Sequence, residues 1–198
     1  VTAAQAIAQG ISEEGGLFVP CELPQFSLDK IASMVDMPYT QRAKTVLKDF
    51  LTDFSEEELD YCVNGAYAAE KFSSSKIAPT VNVAGNKNIL ELWHGPTCAF
   101  KDMALQLLPY LMTVSAKKTA DGKTIVILVA TSGDTGKAAL EGFKDVDHTR
   151  ILVFYPVDGV SPMQKLQMTT QEGENVSVCA INGNFDDAQS AVKAIFTN

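Results

Sequence analysis

Histidine is almost missing from this 198-residue chain, with His94 and His148 the only two. That is too few for a multi-histidine metal site. The four cysteines, Cys21, Cys62, Cys98 and Cys179, lie far apart and form no Cys-x-x-Cys pair. Zinc-ribbon and thiol-exchange motifs are therefore excluded, and the expected role is that of small buried hydrophobes in a reducing cytoplasm. No apolar run approaches the roughly 20 residues that cross a bilayer, so no membrane span is expected. No basic stretch precedes an apolar one near Val1, so no secretory leader is expected. Positive charge is scarce as well: 16 Lys and Arg face 24 Asp and Glu, a net charge of −8, without any basic run. That balance argues against a nucleic-acid partner. What the chain does have is apolar content, 46% of residues against 20% charged, which suits a folded core of one large domain or two small ones.

The first 75 or so residues read as helical. A short helix over 2–9 is closed by Gly10, Ser27 caps another through about Val35, and Pro38 opens a third. Ala43, Val46, Leu47, Phe50 and Leu51 give that third helix an apolar stripe. Ser55 and Glu58 form a capping box for a helix running to about Phe72. The serine run 73–75 marks the expected boundary between a domain over 1–75 and one over 76–198.

The second part alternates. Strands are expected at 89–93, 124–130, 150–157 and 176–181, and helices at 101–116, 135–146, 162–172 and 186–196. Pro109 should kink the first of these helices. Apolar strands separated by helices predict an α/β fold, a parallel sheet with helices on both faces behind the mostly helical small domain.

Ligands bind such sheets at the carboxyl ends of the strands. Two motifs are expected there. The first is His94-Gly95-Pro96-Thr97-Cys98-Ala99-Phe100-Lys101-Asp102. Lys101 opens a helix beside Phe100, where the helix field and partial burial would favour a nucleophilic amine. A solvated lysine paired with Asp102, and a structural His94 beside Trp93, are the plainer readings. The second motif is Thr131-Ser132-Gly133-Asp134-Thr135-Gly136. Its glycines relax the backbone, Ser132 and Thr135 add hydroxyls, and the helix start adds amides, which together suit a carboxylate or phosphate. It is not a Walker A loop. The plainer reading is a capped turn with Ser132 or Asp134 as N-cap.

Together the two motifs resemble the fold-type II pyridoxal-phosphate enzymes, and the lysine segment is similar to that of threonine synthases. Gly15-Gly16-Leu17-Phe18-Val19-Pro20, Ser161-Pro162-Met163-Gln164 and Gly183-Asn184-Phe185-Asp186-Asp187 extend the resemblance over nearly the whole chain. The resemblance implies that Lys101 forms the Schiff base with pyridoxal 5′-phosphate, with Phe100 and Asp134 at the cofactor. It implies that Ser132, Gly133, Thr135 and Gly136 hold the substrate α-carboxylate, with His94, Thr97 and Asp102 near the site and no metal. Many relatives carry Asn where Asp134 stands, and an ionised Asp cannot donate to the cofactor's phenolic oxygen.

The implied reaction turns O-phospho-L-homoserine and water into L-threonine and phosphate, as a lyase of threonine biosynthesis in the cytoplasm, with no nucleic-acid or membrane partner. The family's cofactor-phosphate loop lies beyond the last residue here. The chain thus resembles an N-terminal fragment of about two-fifths of a family member, and no turnover is expected from it alone. Two alternatives are another fold-type II lyase, such as a serine/threonine dehydratase, and a non-catalytic phosphate-binding module.

Overall fold

A computed structural model describes residues 1–119 and 122–196. It divides into two compact units, Val1–His94 with Tyr110–Asp121, and Gly95–Pro109 with Gly122–Asn198. The serine run 73–75 lies inside the first unit, where the Ser73 amide donates to the His94 carbonyl at 2.9 Å.

In the first unit, local capping chemistry sets the helix starts. Helix α1 (Ala3–Gln9) and helix α4 (Glu56–Ala66) begin with complete capping boxes at Thr2/Gln5 and Ser55/Glu58. Ser27 caps α2 (Leu28–Ser33), and Pro38 precedes α3 (Tyr39–Phe50). Leu59, Cys62, Val63 and Ala66 recur at helical spacing along α4 and are all buried. Each fully buried Leu or Val contributes about 1.5–3 kcal/mol. α4 stops at Ala66, earlier than expected, because Tyr67 leaves helical geometry. Its ring packs edge-on against Tyr39 at 4.8 Å.

The expected strand at 89–93 is shorter and belongs elsewhere. β2 (Lys87–Leu90) pairs antiparallel with β1 (Thr80–Ala84), which the sequence reading missed. The chain returns through Gly85, at φ 51°. A local apolar pattern does not say which strand it will pair with, and here the partner is the nearest segment.

The second unit holds the parallel sheet. β3 (Ile125–Ala130), β4 (Thr149–Pro156) and β5 (Val176–Ile181) lie in that order, with β4 central and most buried. The flanking helices are α7 (Asp134–Phe143), α8 (Pro162–Thr169) and α9 (Phe185–Phe196). Instead of one helix over 101–116 there are two, α5 (Asp102–Leu105) and α6 (Leu108–Thr119). Pro109 lacks the amide that would continue the first helix through this point. Asn175 ties the α7–β4 connection to β5: its Nδ2 donates to the Phe143 carbonyl (2.8 Å) and Thr149 Oγ1 (3.0 Å), and its Oδ1 accepts from the Asp145 amide (2.8 Å).

Only Cys62 is buried among the four cysteines, and burial pushes its thiol up to about 12. Cys21, Cys98 and Cys179 are exposed, contrary to expectation. Among the described residues no helix is long and apolar enough to cross a membrane.

Candidate functional site

The lysine segment does not follow a strand of the parallel sheet, because β2 ends at Leu90 in the first unit. Lys101 is placed instead by a clamp across its own loop. Asp102 is 0% exposed, and both of its oxygens are used. Oδ2 accepts from the Thr97 amide at 2.8 Å, and Oδ1 accepts from the Thr97 hydroxyl at 2.6 Å. Gly95 is needed beneath this clamp, since a Cβ there would lie 2.5 Å from Asp102 Oδ2. Between the clamped residues the chain turns tightly enough to hold Cys98 at φ 58°.

Asp102 is therefore not a solvated partner of Lys101. Burial pushes its carboxyl up from the ordinary value, against the two Thr97 hydrogen bonds, and the Glu141 charge adds to the rise. Lys101 itself is half-buried, with Nζ 4.9 Å from the Phe100 ring centroid. The ring is 56% exposed, so Phe100 gives the amine a platform and little burial. Among the described residues no carboxylate lies within ion-pair distance of Lys101.

The second motif sits at the carboxyl end of β3, where the parallel sheet was expected to place it. Its N-cap is Gly133, with no side-chain cap bond, and neither Ser132 nor Asp134 takes that role. The cap comes from Thr131, which is 1% exposed. Its Oγ1 accepts from the Gly133 amide at 3.0 Å and from the Gly136 amide at 2.9 Å. This leaves the first-turn amides of Asp134 and Thr135, which lack intrahelical partners by geometry, for an outside acceptor. Ser132 is exposed and Thr135 half-buried.

The two glycines have different reasons. Gly133 adopts φ 147°, ψ −91°, which a side chain rarely allows. Gly136 is needed for space, because a Cβ would lie 2.4 Å from Thr131 Cγ2. The helices opening at Lys101 and at Gly133 are packed together: a Cβ on Gly142 of α7 would fall 2.1 Å from the Leu105 carbonyl oxygen of α5.

His94 lies in the first unit, with both ring nitrogens engaged there. Nδ1 is 2.9 Å from Ser73 Oγ, and Nε2 is 2.8 Å from Glu91 Oε2. The ring also stacks on Trp93. The structure thus brings Thr97, Phe100, Lys101 and Asp102 together in one loop and residues 132–136 in another, and it gives His94 its partners in the first unit. Sequence reasoning missed two residues. Thr131 was given no role of its own, although a hydroxyl before a glycine turn is a capping signal. Gln164 donates to Asp134 at 2.7 Å from 30 residues away, and no local signal announces such a contact.

Residues 1–67 match the family model described as threonine synthase N terminus. The chain is 44% identical over 191 residues to a threonine synthase of Pseudomonas aeruginosa, an alignment covering 96% of this chain and 40% of that protein. It is 39% identical to a threonine synthase-like 1 protein of Pongo abelii, over 97% of this chain and 26% of that protein. Its fold matches the crystal structure of PLP-bound threonine synthase from Brucella melitensis with a TM-score of 0.88 at 38% identity. That match covers all of this chain and 42% of that one. The chain thus spans about two-fifths or less of the length of these relatives.

Proposed function

We propose that this chain, which belongs to the threonine synthase family, supplies the lysine and the α-carboxylate loop of a pyridoxal-phosphate enzyme. That enzyme converts O-phospho-L-homoserine and water to L-threonine and phosphate. The observation that carries the reading is Lys101: an amine held by a buried clamp, free of carboxylate partners, in the segment that resembles the family's cofactor lysine.

The residues fit the cofactor at its point of attachment. Lys101 Nζ would hold it covalently, and the exposed Phe100 ring lies beside that atom. When bound, pyridoxal phosphate supplies an electron sink that lets protons leave the substrate carbons. Lys101 Nζ would be the group that takes and returns those protons. The clamp fixes where that nitrogen can reach, because Asp102 and Thr97 are buried and mutually satisfied. The hydroxyls of Ser132 and Thr135, with the first-turn amides of α7, orient the substrate by its α-carboxylate. Asp134 lies at the start of that helix as an acceptor from Gln164.

Borohydride reduction in the presence of pyridoxal phosphate, followed by peptide mass mapping, should place the pyridoxyl group on Lys101. A group on Lys76, Lys117 or Lys137 would overturn the assignment. Phosphate release from O-phospho-L-homoserine by a protein of full family length carrying this segment, compared with turnover of serine and O-acetylserine, tests the substrate.

A further inference from the structure

The turn that opens α7 has a second brace besides Thr131. Gln164 lies in the first turn of α8, within the Ser161-Pro162-Met163-Gln164 stretch. Its side chain serves two elements at once. Oε1 accepts from the Ser161 amide at 3.2 Å, completing the capping box in which Ser161 Oγ accepts from the Gln164 amide at 3.2 Å. Nε2 donates to Asp134 Oδ1 at 2.7 Å. The two bonds fix the orientation of the amide, since a flip would place a donor against the Ser161 N–H and an acceptor against a carboxylate. The same amide covers Gly133: a Cβ built there would fall 2.3–2.6 Å from its Cδ, Nε2 and Oε1.

Asp134 is the first residue of α7, so its negative charge is favoured by the helix field. It also stands among the amides that a bound anion would need. A carboxylate left to rotate there would compete for those donors. We propose that Gln164 is a positioning residue: it anchors Asp134 and closes over Gly133, so that Ser132, Thr135 and the first-turn amides remain shaped for an incoming carboxylate. This rests on the reading of the loop as the α-carboxylate site.

Gln164→Glu separates the two tasks of the side chain. A glutamate still accepts from Ser161 and keeps the α8 cap, but it sets a second carboxylate against Asp134. Adding Asp134→Asn restores a donor–acceptor pair in the reverse sense. Amide hydrogen exchange in the cofactor-free protein reads the brace directly. Exchange at Gly133 and Gly136 should quicken about tenfold or more in Gln164→Glu, stay unchanged in β4, and return towards the parent rate in the double variant. In the cofactor-loaded protein of full family length, the KM for O-phospho-L-homoserine should rise about tenfold, with cofactor affinity unchanged and the double variant recovering. Unchanged exchange in Gln164→Glu overturns the positioning role. Faster exchange with an unchanged KM overturns the α-carboxylate reading and takes the proposal with it.

Discussion

The lysine loop and the loop that opens α7 solve one problem with different chemistry. Each bends the backbone around a buried oxygen, and each needs a glycine because the side chain that carries the acceptor fills the space of a Cβ, Asp102 through Oδ2 at Gly95 and Thr131 through its methyl at Gly136. In the first loop the acceptor is a carboxylate, Asp102, gripping the amide and hydroxyl of Thr97. In the second it is a hydroxyl, Thr131, gripping the amides of Gly133 and Gly136. A buried carboxylate makes stronger bonds and carries a larger desolvation cost, so it is firm and sensitive to pH. A buried hydroxyl is weaker and indifferent to pH. In the function proposed above, the firm clamp sits under the residue that would place a single nitrogen. The neutral one sits under the surface that would receive an anion, where another buried negative charge would repel it.

Removing the charged clamp should cost most. Asp102→Ala strands two buried donors, each worth about 1–3 kcal/mol, so urea unfolding should show a loss of about 4 kcal/mol. A loss under about 1 kcal/mol would mean that water replaces the carboxylate.

Breaking the neutral clamp should cost less. Thr131→Val keeps the shape and strands the Gly133 and Gly136 amides, which lose a neutral partner where Thr97 would lose a charged one, a loss of about 2 kcal/mol. The pH dependence of the two losses should differ. The Asp102 carboxyl is raised in the folded state, so the native protein binds its proton more readily than the unfolded chain. Stability from this group is therefore present below the ordinary aspartate value and falls as pH rises from there through the raised one. Asp102→Asn should flatten that slope, whereas the Thr131→Val loss should stay constant across the same range. A pH-dependent Thr131→Val loss would erase the contrast drawn here.

The smallest effect should come from the lysine that the first clamp serves. Lys101→Met gives up an exposed contact with Phe100, worth no more than about 1 kcal/mol. Thermal unfolding should move little, while the pyridoxyl group found after reduction at Lys101 should vanish. A large loss of stability would recast Lys101 as a structural residue.

Much of this was legible in the residues. Helix starts at Thr2, Ser27 and Ser55 were readable because a cap is satisfied within three residues. β3, β4 and β5 were readable as short apolar runs set between helical stretches, although only β4 is largely buried. β1 was missed and β2 assigned to the wrong sheet, since pairing depends on a partner outside the window being read. Lys101 was singled out from its place beside Phe100 and from resemblance, and the plainer reading that paired it with Asp102 does not hold: Asp102 is its neighbour in sequence, yet the carboxylate turns back to Thr97. The burial that decides this is a property of the packed loop and of no residue alone.

Asn175 shows what one such long-range residue can do for a whole strand. Its carbonyl accepts from the Ile151 amide at 2.9 Å, immediately before Val176 pairs with Ile151, while its side chain is fastened to Phe143 and Thr149. A parallel strand that slips by one residue turns every side chain to the opposite face. With Asn175 pinned at the entrance, β5 has one permitted alignment against β4, and the sheet gains an address that its repetitive valines and isoleucines could not supply.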